Sequence, residues 1–163
     1  MRGGANEEMR WQDIRNSIAS TLKKRIPGAN IYFEEVDNPK FPYYLVDLID
    51  YKKEFNTTHR EWKAIILEIR YHTEQNGKKA RSEAIEALEM IDMAFEFQGN
   101  KVLHAKRIEN EKIKEIRWLT LTDTDMTVID KVGHYVFTLS LFDLYGKPYD
   151  YELMKDLELR FKD

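Results

Sequence analysis

Hydrophobic residues along this chain follow two periodicities, and the places where one gives way to the other mark out its elements. From about residue 7 to residue 25 the apolar positions are Trp11, Ile14, Ile18 and Leu22, three or four apart. That spacing sets them in one stripe along a helix. Pro27 and Gly28 follow, where helix breakers belong, one to three residues past the last turn. Residues 30–36 and 41–51 then read as extended segments around the turn-prone Asp37-Asn38-Pro39. Pro42 places the second of them at an edge, or lets it pair only after the proline. Its apolar run from Tyr43 to Ile49 is broken only by Asp47, so both of its faces are expected to be covered. A charged loop is expected over residues 52–60. Residues 61–73 alternate beyond it, with Ile65, Leu67, Ile69 and Tyr71 on one face and Ala64, Ile66, Glu68 and Arg70 on the other.

Gln75-Asn76-Gly77 marks a turn. The helical period then returns over residues 78–95, where Ala80, Ala84, Ala87, Leu88, Ile91 and Phe95 form a second stripe. The remainder reads as short extended pieces at 102–108, 113–121, 126–129 and 134–145. The last two are joined by a hairpin turn at Asp130-Lys131-Val132-Gly133. After Gly146 and Pro148, Asp150 is placed to cap a short helix ending near Phe161. The order α-β-β-β-α-β-β-β-β-α lacks the strict alternation of a parallel α/β protein. It predicts an α+β fold: a mostly antiparallel sheet, two main helices packed on one face, and a short C-terminal helix.

Length and composition narrow the class. At 163 residues one domain is expected, which would bury roughly 70% of the surface it exposes when unfolded. Residues 1–8, with their Gly3-Gly4 pair, are expected to form a flexible arm, and 9–163 a single domain. Charged residues make up 34% of the chain, above the roughly 25% of an average globular protein, so a densely charged surface is expected. The 26 basic and 29 acidic residues nearly cancel, which argues against a dedicated nucleic-acid binder. Without cysteine there is neither a disulfide framework nor a thiolate metal site. No apolar run approaches the ~18 residues of a membrane span, and the first residues lack the apolar core of a signal peptide. A soluble protein working inside a cell, with no membrane contact, is the expectation.

Candidate chemistry changes this picture little. None of His59, His72, His104 and His134 lies three or four positions from another histidine, as a zinc-type pair requires. They read as isolated sheet or surface histidines, and no metal site is expected. No phosphate-binding glycine loop follows a strand, so no nucleotide cofactor is expected. Asp47 on one strand, with Glu61 and Lys63 opening the next, loosely resembles the carboxylate and lysine set of Mg²⁺-dependent nucleases. In so charged a chain, alternating positions on a wet strand face give the same pattern. Lys23-Lys24-Arg25 ends the first helix, where cations complement the helix dipole. Lys106, Arg107, Lys112, Lys114 and Arg117 are interleaved with Glu109, Glu111 and Glu115, a mixed-sign ribbon rather than a phosphate track. Asp123, Asp125 and Asp130 stand among threonines without the spacing of a calcium loop, and read first as an exposed strand connection. No catalytic residue is assigned, and the protein is expected not to be an enzyme.

The whole pattern resembles a known family. Trp11-Gln12-Asp13-Ile14-Arg15-Asn16-Ser17-Ile18 leads through Leu22 to Ile26-Pro27-Gly28. Ile31-Tyr32-Phe33-Glu34-Glu35-Val36 and Phe41-Pro42-Tyr43-Tyr44-Leu45-Val46 follow. This is similar to the opening of the tail terminator, or tail completion, proteins of long-tailed phages and phage-like particles. The long strand at 61–73, the alanine-rich helix ending in Leu88-Glu89-Met90-Ile91 and the hairpin around Asp130 extend the likeness over most of residues 9–146. The chain departs from the pattern in lacking a glycine in the turn at 36–40 and in a longer segment after Pro148. The resemblance implies a structural protein, a homo-oligomeric ring of six subunits at the head-proximal end of the tail tube, assembled in the host cytoplasm. Such a ring stops tube polymerisation and joins the tail to the head connector. Its neighbours would be the tail tube protein, the connector and, in a contractile tail, the sheath, with DNA only passing through the lumen. Partner contacts are expected in two loops, one with Lys52, Lys53, Glu54 and Arg60, the other with Asp123, Asp125, Asp130 and Lys131, the aspartates near the lumen or the tube. The runner-up is another head–tail joining or tube-related protein of the same particle.

Overall fold

The computed structural model describes residues 9–57 and 60–144; the expected arm over 1–8 and the expected short helix after Asp150 lie outside them. Helix α1, Trp11–Arg25, buries Ile14, Ile18 and Leu22 and half-buries Trp11, as the spacing requires. The Asp13 carboxylate accepts the Arg10 backbone N–H at 3.1 Å, satisfying a donor in the first turn and setting negative charge at the positive end of the dipole. Lys23, Lys24 and Arg25 occupy the last turn. The exit runs through Gly28 at φ 77°, a left-handed conformation that suits glycine.

Strand β1, Asn30–Tyr32, is shorter than the extended run expected to Val36. It pairs in parallel with the start of β2, Tyr43–Thr57, placing Asn30 opposite Tyr43. The Asn30 side-chain amide donates to the Lys40 and Pro42 carbonyls, each at 3.2 Å, and so pins both ends of the intervening connection. The Phe41–Pro42 peptide is cis. Tyr44, Leu45 and Val46 are buried in succession, whereas Asp47 and Ile49 are exposed. Both faces of β2 are thus covered only at its start.

The charged loop expected at 52–60 is not a loop. Strand β2 runs on to Thr57 and β3, Arg60–His72, begins at Arg60, with Lys52 opposite Ala64 and Glu54 opposite Trp62. Cross-strand hydrogen bonding here overrides the weak strand preference of Lys, Glu and Asn, and Lys53 lies 3.7 Å from the Glu61 carboxylate across the ladder. Helix α2, Gly77–Ala94, buries Ala80, Ala84, Ala87, Leu88 and Ile91. A short β4, Glu96–Phe97, then turns into β5, Asn100–Glu109.

The second expected loop, 122–133, is also mostly strand. Strand β6, Lys112–Ile129, is continuous. Its first half pairs with β5 up to Val102 opposite Thr120, and its second half pairs with β7, Val132–Leu144, from Leu121 opposite Leu139. Between Thr122 and Asp125 the register shifts, with Asp123 at φ 50°. An extra residue in a bulge bends a strand and re-aims it, which lets β6 serve two neighbours. The β6–β7 turn is Asp130-Lys131 alone, since Ile129 already faces Val132 and Asp130 holds φ 56°. Gly133 belongs to the strand: a Cβ there would lie 3.1 Å from Leu88 Cγ, so its lack of a side chain lets α2 rest directly on β7.

The sheet order is β1-β2-β3-β7-β6-β5-β4, antiparallel except for β1 with β2. Both helices cover one face, and the curled α+β architecture agrees with the expectation. That face presents Ile65, Leu67, Ile69 and Tyr71 of β3, Tyr135, Phe137, Leu139 and Leu141 of β7, and Leu103, Leu119 and Leu121, all buried. Three polar side chains tie helices to sheet. Glu83 accepts from Tyr71 Oη and Thr73 Oγ1. Asp92 accepts from Tyr135 Oη at 2.8 Å and lies 2.7 Å from Lys101 Nζ. Ser17 Oγ donates to the Asp13 carbonyl and accepts the Lys106 backbone N–H at 2.9 Å, capping one position on the outer edge of β5.

Ser17→Ala leaves the Lys106 N–H without that acceptor at a buried site. A loss of about 1–3 kcal/mol in urea or thermal unfolding is expected, whereas Ser20→Ala on the exposed side of the same helix changes little.

Candidate assembly surfaces

The nuclease-like set does not assemble. Asp47 sits opposite Glu68 on the helix-free face of the sheet and meets Arg70 at 3.1 Å. Glu61 and Lys63 point to the same face as the core-facing Ile65, Leu67 and Ile69 of β3 and are buried, at 3% and 0% exposure. Seven positions along β3, about 23 Å at strand rise, and the thickness of the sheet separate Asp47 from Glu61. Asp47 belongs instead to a polar network in which Arg70 also lies 3.7 Å from Glu68, and Glu68 meets His134 Nδ1 at 2.6 Å. Among the described residues no three His, Asp or Glu side chains are grouped to hold a metal.

The two expected contact regions lie on opposite margins of the central β2-β3-β7-β6 run. Lys52, Lys53 and Glu54 are exposed along β2, and the backbone of Arg60 pairs with Thr57 and Leu144. On the other margin Asp123 and Asp125 are exposed at the bulge, and Asp130 with Lys131 form the turn. Lys131 Nζ donates to Asn76 Oδ1 at 3.2 Å, so the turn rests at the start of α2.

A third surface escaped the sequence reading. On the outer side of the β5–β6 hairpin Ile108, Ile113, Ile116 and Trp118 are each about half exposed (53%, 54%, 48% and 52%). Phe97 extends the row, its ring 4.6 Å from Trp118, and His104 stacks on Trp118 at 4.1 Å. Apolar side chains exposed in a continuous row signal a contact site. The sequence held a clue: Ile116 and Trp118 alternate with Leu119 and Leu121 on the opposite face, so both faces of this strand carry large apolar groups.

The connection over residues 33–42 arches across the helix-free face, leaving a hollow of about 250 Å³ lined by Tyr32, Val36, Pro39, Leu45, Arg70 and His72, among others. There His72 stacks on Tyr43 with ring centroids 4.5 Å apart. Burial, and then the nearby Arg70 and His134, lower the His72 pKa below its ordinary 6.5. A neutral histidine favoured by the fold keeps its full stabilising share above the unfolded value. That share is lost as pH falls below about 6.5, because the unfolded chain takes up the proton first. Burial and the hydrogen bonds to Glu83 and Asp92 raise the Tyr71 and Tyr135 phenols above their ordinary 10.0, so their share is lost as pH rises past that value.

The family model of the phage tail terminator protein matches residues 13–149, most of the chain, and the protein belongs to that family. Its role is therefore structural, in a phage tail, in contact with other tail components. Among curated proteins nothing matches. One solved structure aligns with 86% of this chain and 99% of its own at 13% identity and a TM-score of 0.34, too distant a likeness to bear on function.

Thermal unfolding followed from about pH 8 to about pH 5 tests the role of His72. His72→Phe keeps a ring against Tyr43 and is expected to lessen the fall in stability below about pH 6.5; an unchanged profile would show that His72 contributes nothing to it.

Proposed function

We propose that this protein forms a six-membered ring on the head-proximal end of a tail tube, where it stops tube polymerisation and presents the surface to which the head connector binds. The family match over residues 13–149 carries this reading.

The geometry supports the assignment in what it supplies. A ring that caps a tube needs a rigid body, a head-to-tail contact closed by rotation, and separate surfaces for the layers below and above. The core formed by β3, β7 and the two helices provides the body. The charged margins at Lys52, Lys53, Glu54 and Arg60 and at Asp123, Asp125, Asp130 and Lys131 provide contacts with neighbouring copies and with the tube. The row from Phe97 to Ile113 suits an apolar partner, assigned here to the tube or, in a contractile tail, to the sheath. Acidic groups at the lumen margin would let DNA slide without holding its phosphates.

Particles made without this protein are expected to carry abnormally long tails or tails unjoined to heads in electron micrographs; tails of normal length joined to heads would overturn the proposal. The combined change Ile116→Ser with Trp118→Ala removes exposed apolar surface. It is expected to leave the melting temperature within a few degrees of the parent, consistent with surface changes of about ±0.5 kcal/mol each, while lowering the yield of joined particles at least tenfold.

A further inference from the structure

The two margins of the central sheet are complementary backbone edges. Strand β1 covers β2 only at Tyr43, Tyr44 and Leu45, so from Val46 to Lys52 no described residue pairs with the outer edge of β2. Strand β5 leaves β6 at Thr120, so from Asp125 to Ile129 the side of β6 away from β7 is likewise open among the described residues. Both stretches are long enough for a cross-strand ladder. An open ladder edge is a template for another chain unless it is blunted. The β6 stretch has neither proline nor lysine and is rich in β-branched residues, with Thr127, Val128 and Ile129 in succession.

Direction settles what each edge can accept. The run β2-β3-β7-β6 contains four strands, each antiparallel to the next, so β6 runs opposite to β2. A second copy placed by rotation alone therefore sets its β2 antiparallel to the β6 of the first. Alternation continues across the junction, and repetition gives a closed ring of tilted strands. The two open stretches are offset along the sheet, Val46 to Lys52 lying beside β3 residues 64–69 and Asp125 to Ile129 nearer its end at His72. Tilted strands in a closed ring take up such an offset as shear.

Charge selects this pairing over two identical edges meeting. Two β6 edges would bring the Asp123 and Asp125 pairs of both copies into one short ladder. Two β2 edges would bring Asp47 and Asp50 of both copies together, with Lys52 alone to offset them. When β2 meets β6, a register with Lys52 opposite Asp125 places both on the helix-free face, Asp50 opposite the uncharged Thr127 and, past the bulge at Ile49, Asp47 opposite Ile129. Opposite charges across a ladder stabilise it and like charges oppose it.

We infer that the ring closes by β-strand pairing between the Val46–Lys52 edge of one copy and the Asp125–Ile129 edge of the next, with Lys52 facing Asp125; this rests on the ring reading and names its interface.

The chain has no cysteine, which makes the test direct. Lys52→Cys with Asp125→Cys in one chain is expected to give a ladder of disulfide-linked species on a non-reducing gel. Equal amounts of the two single variants should give one dimer band, while either variant alone stays monomeric on the gel. Dimers from Lys52→Cys alone or Asp125→Cys alone would overturn the head-to-tail pairing. Native mass measurement of the parent protein separates the two readings. A ring-sized mass with no cross-link in the mixed sample overturns this interface and leaves the ring standing; a monomer mass at every concentration, with no cross-link, overturns both. Charge exchange guards against misfolded variants: Lys52→Asp or Asp125→Lys alone is expected to weaken association at least tenfold, and the two together to restore it. Two melting curves superimposable on the parent, with no restoration, would count against the Lys52 to Asp125 contact.

Discussion

Strand β3 is the constraint on which the rest of the structure depends. It lies between β2 and β7 for nearly its whole length, and its inward positions from Glu61 to Tyr71 are all buried. A slip of one residue would turn Ile65, Leu67 and Ile69 to solvent and Glu68 and Arg70 into the core. That penalty locks the registers with β2 and β7, and the position of β7 in turn seats α2 through Gly133. The two helices then close the same face, so the folding of distant elements is referred to one alternating strand.

Polar groups inside this frame act as ties. Glu83 and Asp92 stand on α2 and each receives a tyrosine hydroxyl from the sheet, Tyr71 and Tyr135 respectively. Burial, and then a carboxylate accepting such a bond, makes loss of the tyrosine proton costly, so both phenols hold it beyond the ordinary range. Ser17 does the corresponding work for α1, against an edge strand that β4 covers only at its start. Packing specifies which faces meet, and these contacts specify how far along each face they sit.

Much of this frame was legible in the sequence because periodicity reports burial directly. The stripes of α1 and α2 and the alternation of β3 and β7 appear in the amino-acid order as they do in the fold. Where sequence and fold differ, the causes are separate. Lys52, Lys53 and Glu54, and the threonine and aspartate run after Leu121, carry the composition of loops but sit in strands, since a backbone ladder formed with a well-determined neighbour outweighs local preference. Asp47, Glu61 and Lys63 read as a constellation because linear spacing cannot show that a strand's inward and outward positions are being mixed. The apolar row on the β5–β6 hairpin is masked in the sequence by its charges, since Lys106, Lys112 and Lys114 are interleaved with Ile108, Ile113 and Ile116.

The bulge at Asp123 has a mechanical consequence. Because β6 passes without a break from its ladder with β5 to its ladder with β7, one covalent backbone splices the two halves of the sheet. A pull along that strand loads each ladder in shear, so many hydrogen bonds must yield together, whereas a pull across it would open them one at a time. The fold is therefore stiff along β6 and more compliant crosswise. A component seated between two stacked assemblies gains from that anisotropy when its strong direction lies along the line of force.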